Sequence, residues 1–148
     1  GGNAQIKAMK KVAGSLRLDL SQFRELEAFA KFGSELDQNT LKALARGNRL
    51  VETLNQPQFE PWPIQEQVMI LFAATQGYLD DVPVDDVSEF NDQLRAYLNK
   101  FHPEIGARIA ETKDLSSETE AELRAVIERF RETWVETGAE FIPMIATA

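Results

Sequence analysis

Residues 64–76 read IQEQVMILFAATQ, and they point to the fold class more directly than any other stretch. Apolar side chains lie nearly all round such a helix, which is typical of an element enclosed by others. The run 68–72 could alternatively form a buried strand. Glu66, Gln67 and the two alanines that follow the run favour a helix. We therefore predict a central helix, with Pro63 at its first position.

Apolar stripes at helical spacing lie on both sides of this segment. Before it, the stripes comprise Leu16, Leu20, Phe23 and Ala30 with Leu26 at the edge, and then Leu44, Gly47, Val51 and Leu54. After it, they comprise Val87, Phe90, Leu94, Leu98 and Phe101, and then Leu123, Ile127, Phe130 and Trp134. No convincing sheet pattern occurs. The sequence predicts an all-α fold, a helical bundle or short superhelix of five or six helices.

Residues that favour helix starts and stops punctuate these stripes. The stops are Gly33 and Gly138, and the starts are Asp37 and a capping box of Ser117 with Glu120. Pro103 should either kink the helical path or restart it. Gly47 differs, because it lies inside a helix and on the buried stripe. A glycine there costs about 1 kcal/mol relative to alanine, so we expect a second helix to approach closely at this point.

The composition suits one domain of ordinary size. The chain has 148 residues, 43% of them hydrophobic, and no cysteine. Disulfides, thiolate metal sites and cysteine nucleophiles are therefore excluded. The longest apolar run, residues 68–74, is too short to span a membrane. The sequence opens with Gly1-Gly2 and shows no signal peptide, so we expect either a processed chain or a piece of a longer one.

Charge is distributed unevenly within a net total of −8. Residues 1–50 hold nine Lys/Arg and five Asp/Glu, a net of +4, whereas residues 51–148 hold seven and nineteen, a net of −12. The acidic bulk argues against general nucleic-acid binding, because phosphates would be repelled. The basic start could meet phosphate or an acidic partner, or could simply be a solvated helix face.

Most catalytic signatures are absent, including a nucleotide-binding Gly-Lys-Ser/Thr loop and a GxSxG motif. His102 is the only histidine and has no partner at motif spacing, which favours a structural or merely exposed side chain. The aspartate pairs at 80–81 and 85–86 lack calcium-loop spacing and fit the starts of helices better. A hydrolase with paired carboxylates is a poor third hypothesis, because no spacing places two acids in one pocket.

The loop 55–63 contains three prolines and the segment Gln56-Pro57-Gln58. Two amides in a proline-stiffened loop can donate and accept hydrogen bonds at a purine edge. Phe59 and Trp62 could stack on a base or could plug the end of the bundle.

Eight short segments together form a pattern that closely resembles the α subunits of F-type ATP synthases. They are GGNAQIKAMKKVAG (1–14), LRLDL (16–20), FRELEAFA (23–30), FGSELD (32–37), LARG (44–47), QPQ (56–58), EQV (66–68) and GYLD (77–80). The first hundred residues match specifically, and the last third matches in helical character. The resemblance implies that residues 1–5 end an upstream nucleotide-binding domain and that residues 6–148 form the carboxy-terminal helical domain.

In that family, three α and three β subunits alternate around a rotating stalk, and ATP is turned over mainly on β. Each α holds a magnesium–ATP that is not turned over and lends an arginine to the neighbouring catalytic site. Its phosphate-binding loop and that arginine would precede Gly1. Only Gln56 and Gln58 match ligand-contacting residues, those lining the adenine pocket of the non-catalytic site. The segment 34–37 takes the place of the acidic rotor-facing segment of β.

The resemblance implies a non-catalytic, regulatory α-type domain that contributes to assembly of the head of a proton-translocating ATP synthase. We expect ATP with Mg²⁺ in the intact subunit and no cofactor on the isolated polypeptide. The implied partners are β and the rotor subunit γ, with no nucleic acid. Membrane contact would come only through the complex, at the cytoplasmic face of the bacterial plasma membrane, or else in a mitochondrion or plastid. The alternative is a stand-alone helical interaction module derived from that domain.

Overall fold

The computed structural model describes residues 5–31, 36–55 and 62–137. Within these ranges the protein forms helices and turns without a strand, which confirms the all-α prediction. The elements are α1 (Lys7–Ala30), α2 (Gln38–Leu54), α3 (Ile64–Thr75), a 3₁₀ turn (Val84–Asp86), α4 (Val87–Phe101), α5 (Pro103–Thr112) and α6 (Ser117–Thr137).

Helix α3 is the central element, as its all-round apolar sequence predicts. It contacts each of the other five helices, and Val68, Ile70 and Phe72 are buried. Pro63 immediately precedes the helix instead of occupying its first position. Its carbonyl accepts the N–H groups of Glu66 at 3.0 Å and Gln67 at 3.1 Å. Pro63 is therefore the N-cap residue of α3, one position earlier than predicted.

The predicted stripes of α4 and α6 meet in the core. The Phe90 ring lies 5.2 Å from that of Phe130 and 5.4 Å from that of Trp134, both edge to face. Such aromatic pairs contribute about 0.5–1.5 kcal/mol beyond the area that they bury. Phe101 departs from the predicted stripe, because its side chain is 46% exposed at the end of α4.

Helix α1 begins well before its predicted stripe and divides into two halves. Its start is buried through Ala8, Met9 and Val12. Along the predicted stripe, Phe23 is buried, but Leu16 and Leu20 are only partly so. The first turn of α1 is bound to the turn between α5 and α6, because the Ala8 N–H donates to the Lys113 carbonyl at 3.1 Å.

The buried face of α2 is rotated relative to the predicted stripe. Gly47 is buried as expected, but Leu50 is fully buried and Leu54 is 44% exposed. Buried positions 47, 50 and 53 recur every third residue, so the contact face drifts around the helix. At Gly47 an added Cβ would lie 2.2 Å from Cδ1 of Phe23. The predicted close approach of a second helix is therefore confirmed, and that helix is α1.

The predicted starts of α2 and α5 are confirmed. Asp37 caps α2, because its Oδ1 accepts the Thr40 N–H at 2.7 Å. Pro103 is the first residue of α5 and restarts the helical path after α4. The stop signals Gly33 and Gly138 lie outside the described residues.

The predicted capping box of α6 is wrong by one residue. Ser116 Oγ accepts the Thr119 N–H at 3.2 Å, and the Ser116 carbonyl accepts the Glu120 N–H at 2.8 Å. Ser116 is therefore the cap, and Thr119 holds the position that we assigned to Glu120. Ser116 and Ser117 both carry a hydroxyl that could cap the helix, and only the backbone geometry shows which of them does so.

Candidate functional site

Gln56 and Gln58, the two residues that the resemblance assigns to a ligand, lie outside the described residues, as does Phe59. The structure describes the two sides of their loop. Asn55 ends α2, and its N–H donates to the Val51 carbonyl at 3.0 Å. Trp62 leads into α3. The described part of the candidate site comprises these two flanks and the helices packed against them.

Trp62 is fixed at both its ring and its backbone. The guanidinium of Arg95 on α4 lies over the indole at 4.8 Å from the ring centre, within the range of a cation–π interaction. The Trp62 carbonyl accepts a hydrogen bond from Gln67 Nε2 at 2.6 Å. The side chain is partly buried and packs against the core. These contacts are those expected if Trp62 packs against the bundle, and the alternative of stacking on a base stays a prediction.

Glu66 in turn fixes Arg95. Arg95 Nε donates to Glu66 Oε1 at 2.9 Å, and Asn99 Nδ2 donates to the same oxygen. The Glu66 side chain is only 7% exposed. Burying a carboxylate is costly unless it is paired and hydrogen-bonded, and here both conditions are met. We name Trp62, Arg95, Glu66 and Asn99 the Trp62 anchor.

Three polar residues of α4 connect it to the flanks of the loop. Asn91, Arg95 and Asn99 recur at intervals of four and so share one face of the helix. Asn91 is fully buried, and its Nδ2 donates to Thr53 Oγ1 of α2 at 3.1 Å. Neighbouring Asp92 has a raised pKa, mainly because of burial, which Arg95 opposes. This face joins α4 to both helices that border the loop.

Sequence reasoning missed the Trp62 anchor. Glu66 entered as a helix-favouring residue and as part of the EQV segment of the resemblance, without a predicted partner, and Arg95 was not singled out. The available signal was a lone carboxylate near the start of an otherwise apolar helix, since such a charge needs a partner when buried. Its partners stand 29 and 33 residues away, so no local pattern names them.

The aspartate pairs do not form a metal site within the described ranges, where no group of three metal-ligating side chains occurs. Asp85 and Asp86 lie in the first turn of the 3₁₀ segment before α4, as the helix-start interpretation predicts. Asp80 and Asp81 instead pair with Arg46 and Arg131 respectively.

A polar cleft of about 260 Å³ lies between α1 and α2. It is lined by Asp19, Gln22, Asn39, Lys42, Ala43 and Arg46. The pKa of Asp19 is raised, first by burial and then by Asp80, while Arg46 opposes the shift. Among the lining residues that the structure describes, Asp19 is the one carboxylate, so this described lining does not supply the pair of acids that the hydrolase hypothesis requires.

His102 lies at the junction of α4 and α5. Its Nδ1 is 3.5 Å from Glu104 Oε1, and its ring centre is 5.6 Å from that of Tyr97. These contacts fit the structural role that the sequence favours. Among the helices described, none combines the length and apolarity that a membrane span requires.

Comparison with known proteins gives one consistent family. Residues 5–130 match the family described as the C-terminal domain of the ATP synthase alpha/beta chain. The ATP synthase subunit alpha of Clostridium kluyveri is 49% identical over 138 residues, which are 93% of this chain and 27% of that protein. The corresponding subunit of Leuconostoc mesenteroides is 57% identical over 131 residues, 88% of this chain and 26% of that protein.

A third relative, the ATP synthase subunit alpha of Mycobacterium avium, is 53% identical over 144 residues, 97% of this chain and 26% of that protein. The polypeptide thus spans about a quarter of the length of the curated relatives that it matches. The family match covers most of its residues, and these relatives all carry the alpha designation. The protein therefore belongs to the family of carboxy-terminal domains of ATP synthase alpha and beta subunits, and within it resembles the alpha subunits.

Proposed function

We propose that this protein acts as the carboxy-terminal helical domain of a non-catalytic α-type subunit in a proton-translocating ATP synthase. The observation that carries the proposal is the family match over residues 5–130, together with about 50% identity to three alpha subunits. In this role the domain helps to assemble the catalytic head with β subunits around the rotor subunit γ. It has no catalytic activity of its own.

We further propose that Gln56 and Gln58 contribute to the adenine pocket of the non-catalytic magnesium–ATP site. The support is the QPQ segment and the resemblance of its surroundings to the family. The described residues on either side of the loop are fixed by the Asn55 cap of α2 and by the Trp62 anchor. The complex would place the domain at the periphery of the bacterial plasma membrane, on its cytoplasmic face.

The isolated polypeptide is expected to show no measurable ATP binding at micromolar ligand. A neutral hydrogen bond contributes about 1 kcal/mol net, so two glutamines without a phosphate-binding loop give too little affinity. Isothermal calorimetry with magnesium–ATP tests this, and tight stoichiometric binding would overturn it. Magnesium-dependent hydrolysis of ATP by the purified polypeptide would overturn the proposed lack of catalysis.

A chimaeric subunit tests the adenine pocket. This protein replaces the matching segment of the Leuconostoc mesenteroides subunit, and equilibrium dialysis with labelled ATP and Mg²⁺ gives the dissociation constant. Replacing Gln56 and Gln58 by alanine should weaken binding by about tenfold, since each lost hydrogen bond costs about 0.5–1.5 kcal/mol. Replacing Gln22 and Gln76 by alanine is the matched control, because it removes two amides of the same kind at positions outside residues 55–63 of the sequence. Equal affinities for all three forms would refute the assignment.

A further inference from the structure

Residues 76–82, which we call the α3–α4 turn, form a segment closed by its own hydrogen bonds. The Asp80 N–H donates to the Gly77 carbonyl at 3.2 Å. The Val82 N–H donates to the Leu79 carbonyl at 3.0 Å. The side chains of Leu79 and Val82 are buried in the core. Because its backbone is bonded internally and two of its side chains are anchored, we expect this turn to move as one unit.

Helix α2 binds the α3–α4 turn through two arginines. Arg46 donates from Nε and Nη2 to the two carboxylate oxygens of Asp80, at 3.3 and 2.9 Å. Such a two-pronged contact fixes direction as well as distance. Arg49 Nε donates to the Val82 carbonyl at 3.0 Å. Helix α2 is therefore bound to the later part of the turn.

Helix α6 binds the same turn through other residues. The Tyr78 hydroxyl donates to Glu128 Oε1 at 3.0 Å, and Arg131 forms an ion pair with Asp81. Burial raises the pKa of Tyr78, and the hydrogen bond to Glu128 raises it further. Two adjacent residues of the turn are thus bound to different helices, Asp80 to α2 and Asp81 to α6.

The two helices that bind the turn share no extensive interface with each other within the described ranges. There, α2 packs mainly on α1, α3 and α4, and α6 packs on α3, α4 and α5. The turn is therefore an element on which polar side chains of both helices converge. Contacts to one rigid element should stabilise one another, because each restricts motion that the other would otherwise have to restrict.

We infer that the α3–α4 turn couples α2 to α6, so that the contacts on each side of it stabilise those on the other. Loosening the turn from α2 should therefore loosen α6 as well. The turn then has a conformational role, the transfer of displacement between the first two helices and the last. The inference concerns the folded domain itself and does not depend on the proposed function.

Hydrogen exchange followed by mass spectrometry tests the coupling in this polypeptide. Arg46→Leu removes the contact from α2 and leaves the sequences of the turn and of α6 unchanged. Amides of residues 128–134 should exchange about fivefold faster, a modest effect for one network because both ion pairs are partly exposed. Residues 87–101 should keep their exchange rates. A change confined to α2 and the turn, or equal acceleration in every helix, would overturn the inference.

The matched control is Arg108→Leu. Arg108 pairs with Glu122 of α6 at 2.7 Å, and its side chain is about as exposed as that of Arg46. This change removes an ion pair from α6 directly but leaves the contacts of the α3–α4 turn in place. Its effect should stay near Glu122. If it accelerates exchange in residues 128–134 as much as Arg46→Leu does, the loss of any ion pair is sufficient and coupling through the turn is overturned.

A double variant tests whether the two sides of the turn depend on each other. In an Arg131→Leu background, the turn is already loosened from α6, so adding Arg46→Leu should accelerate exchange by less than about twofold. Two effects that simply multiply would show independent contacts and would overturn the coupling. If Arg46→Leu folds poorly, Asp80→Asn breaks the same ion pair with little change in volume and should give the same pattern.

Tyr78 provides a local readout on the α6 side of the turn. The sequence has two tyrosines, so Tyr97→Phe leaves Tyr78 as the one phenol that titrates. Arg46→Leu should lower the pKa of Tyr78 toward its ordinary value, because a loosened turn admits water and weakens the bond to Glu128. Loss of a cation by itself would raise this pKa, so the direction separates loosening from direct electrostatics. A raised or unchanged pKa in ultraviolet titration would overturn the inference.

Discussion

The contact between Phe23 of α1 and Gly47 of α2 depends on steric fit. The contact between Glu66 of α3 and Arg95 of α4 depends on opposite charges. At the first contact there is no room for a single added carbon, since a Cβ on Gly47 would lie 2.2 Å from Phe23 Cδ1. At the second, a buried carboxylate accepts from both Arg95 and Asn99. A contact held by shape fails when volume is added, and a contact held by charge fails when one partner is removed.

The largest expected effect is at the shape-held contact. Gly47→Leu should destabilise the fold by about 3 kcal/mol or more, because the new side chain must displace Phe23 and separate α1 from α2. Thermal unfolding followed by circular dichroism measures the change. Gly14→Ala is the matched control, a helical glycine with no atom within 4 Å of an added Cβ. It should stabilise by about 0.5–1 kcal/mol. An unchanged melting temperature for Gly47→Leu would refute the packing argument.

At the charge-held contact, Arg95→Leu should lower the free energy of unfolding by about 2 kcal/mol. The figure lies below that for a fully buried pair because Arg95 is one-third exposed, while Glu66 is left buried and unpaired. Adding Glu66→Gln should recover more than half of the loss, since the amide needs no counter-charge. Urea unfolding of the single and double variants tests this. A double variant no more stable than Arg95→Leu would show that shape, not charge, holds this contact as well.

A smaller effect is expected at Gly77, where a steric restriction lies beside an ion pair. Its φ of +89° is unfavourable for other residues, and an added Cβ would lie 2.6 Å from Arg46 Nη2. Gly77→Ala should cost about 1 kcal/mol through backbone strain and should disturb the Arg46–Asp80 ion pair. Removing that pair beforehand with Asp80→Asn separates the two causes. If Gly77→Ala costs nothing in either background, the turn is not strained.

The smallest effect concerns the cap of α2. The pKa of Asp37 is lowered, chiefly by the hydrogen bond from the Thr40 N–H. The stability that this bond supplies is present above pH 3.8, the ordinary value for the group, and is lost as the pH falls through the lower folded-state pKa. Asp37→Ala should lower the melting temperature at pH 7, and its difference from the parent should shrink as the pH falls below 3.8. Asp37→Asn, which can still cap, should lose less at pH 7. A cost for Asp37→Ala that does not change with pH would contradict the assignment.

The sequence predicted the close steric contact between helices, but it did not predict the ion pair between them. Gly47 on an apolar stripe indicates a close helix approach, because a helical glycine without such a benefit is costly. The stripes of α4 and α6 likewise predicted which residues are buried, except for Phe101. On α2 the stripe was placed too far around, since Leu54 is exposed and Leu50 is buried. Near-equivalent apolar faces leave that choice to tertiary packing.

The candidate site was less accessible to sequence reasoning for a physical reason. The amide chemistry of Gln56 and Gln58 suggested a purine edge only weakly, and the resemblance supplied the assignment, because polar loop residues have no periodicity that marks them. Glu66 and Arg95 are separated by 29 residues, and a salt bridge between two helices depends on how the helices cross. Periodicity predicts which faces are buried, but it does not predict which charges meet across them.

The central claim is that this protein works as the α-type domain of a larger head. Its most direct measurement is co-assembly: the chimaeric Leuconostoc mesenteroides subunit is expressed with the remaining head subunits and the complex is isolated by affinity to β. We expect the chimaera to be recovered in the stoichiometry of the native subunit. A chimaera that folds, as judged by its circular dichroism, but is absent from the isolated complex would contradict the claim and favour a stand-alone helical interaction module.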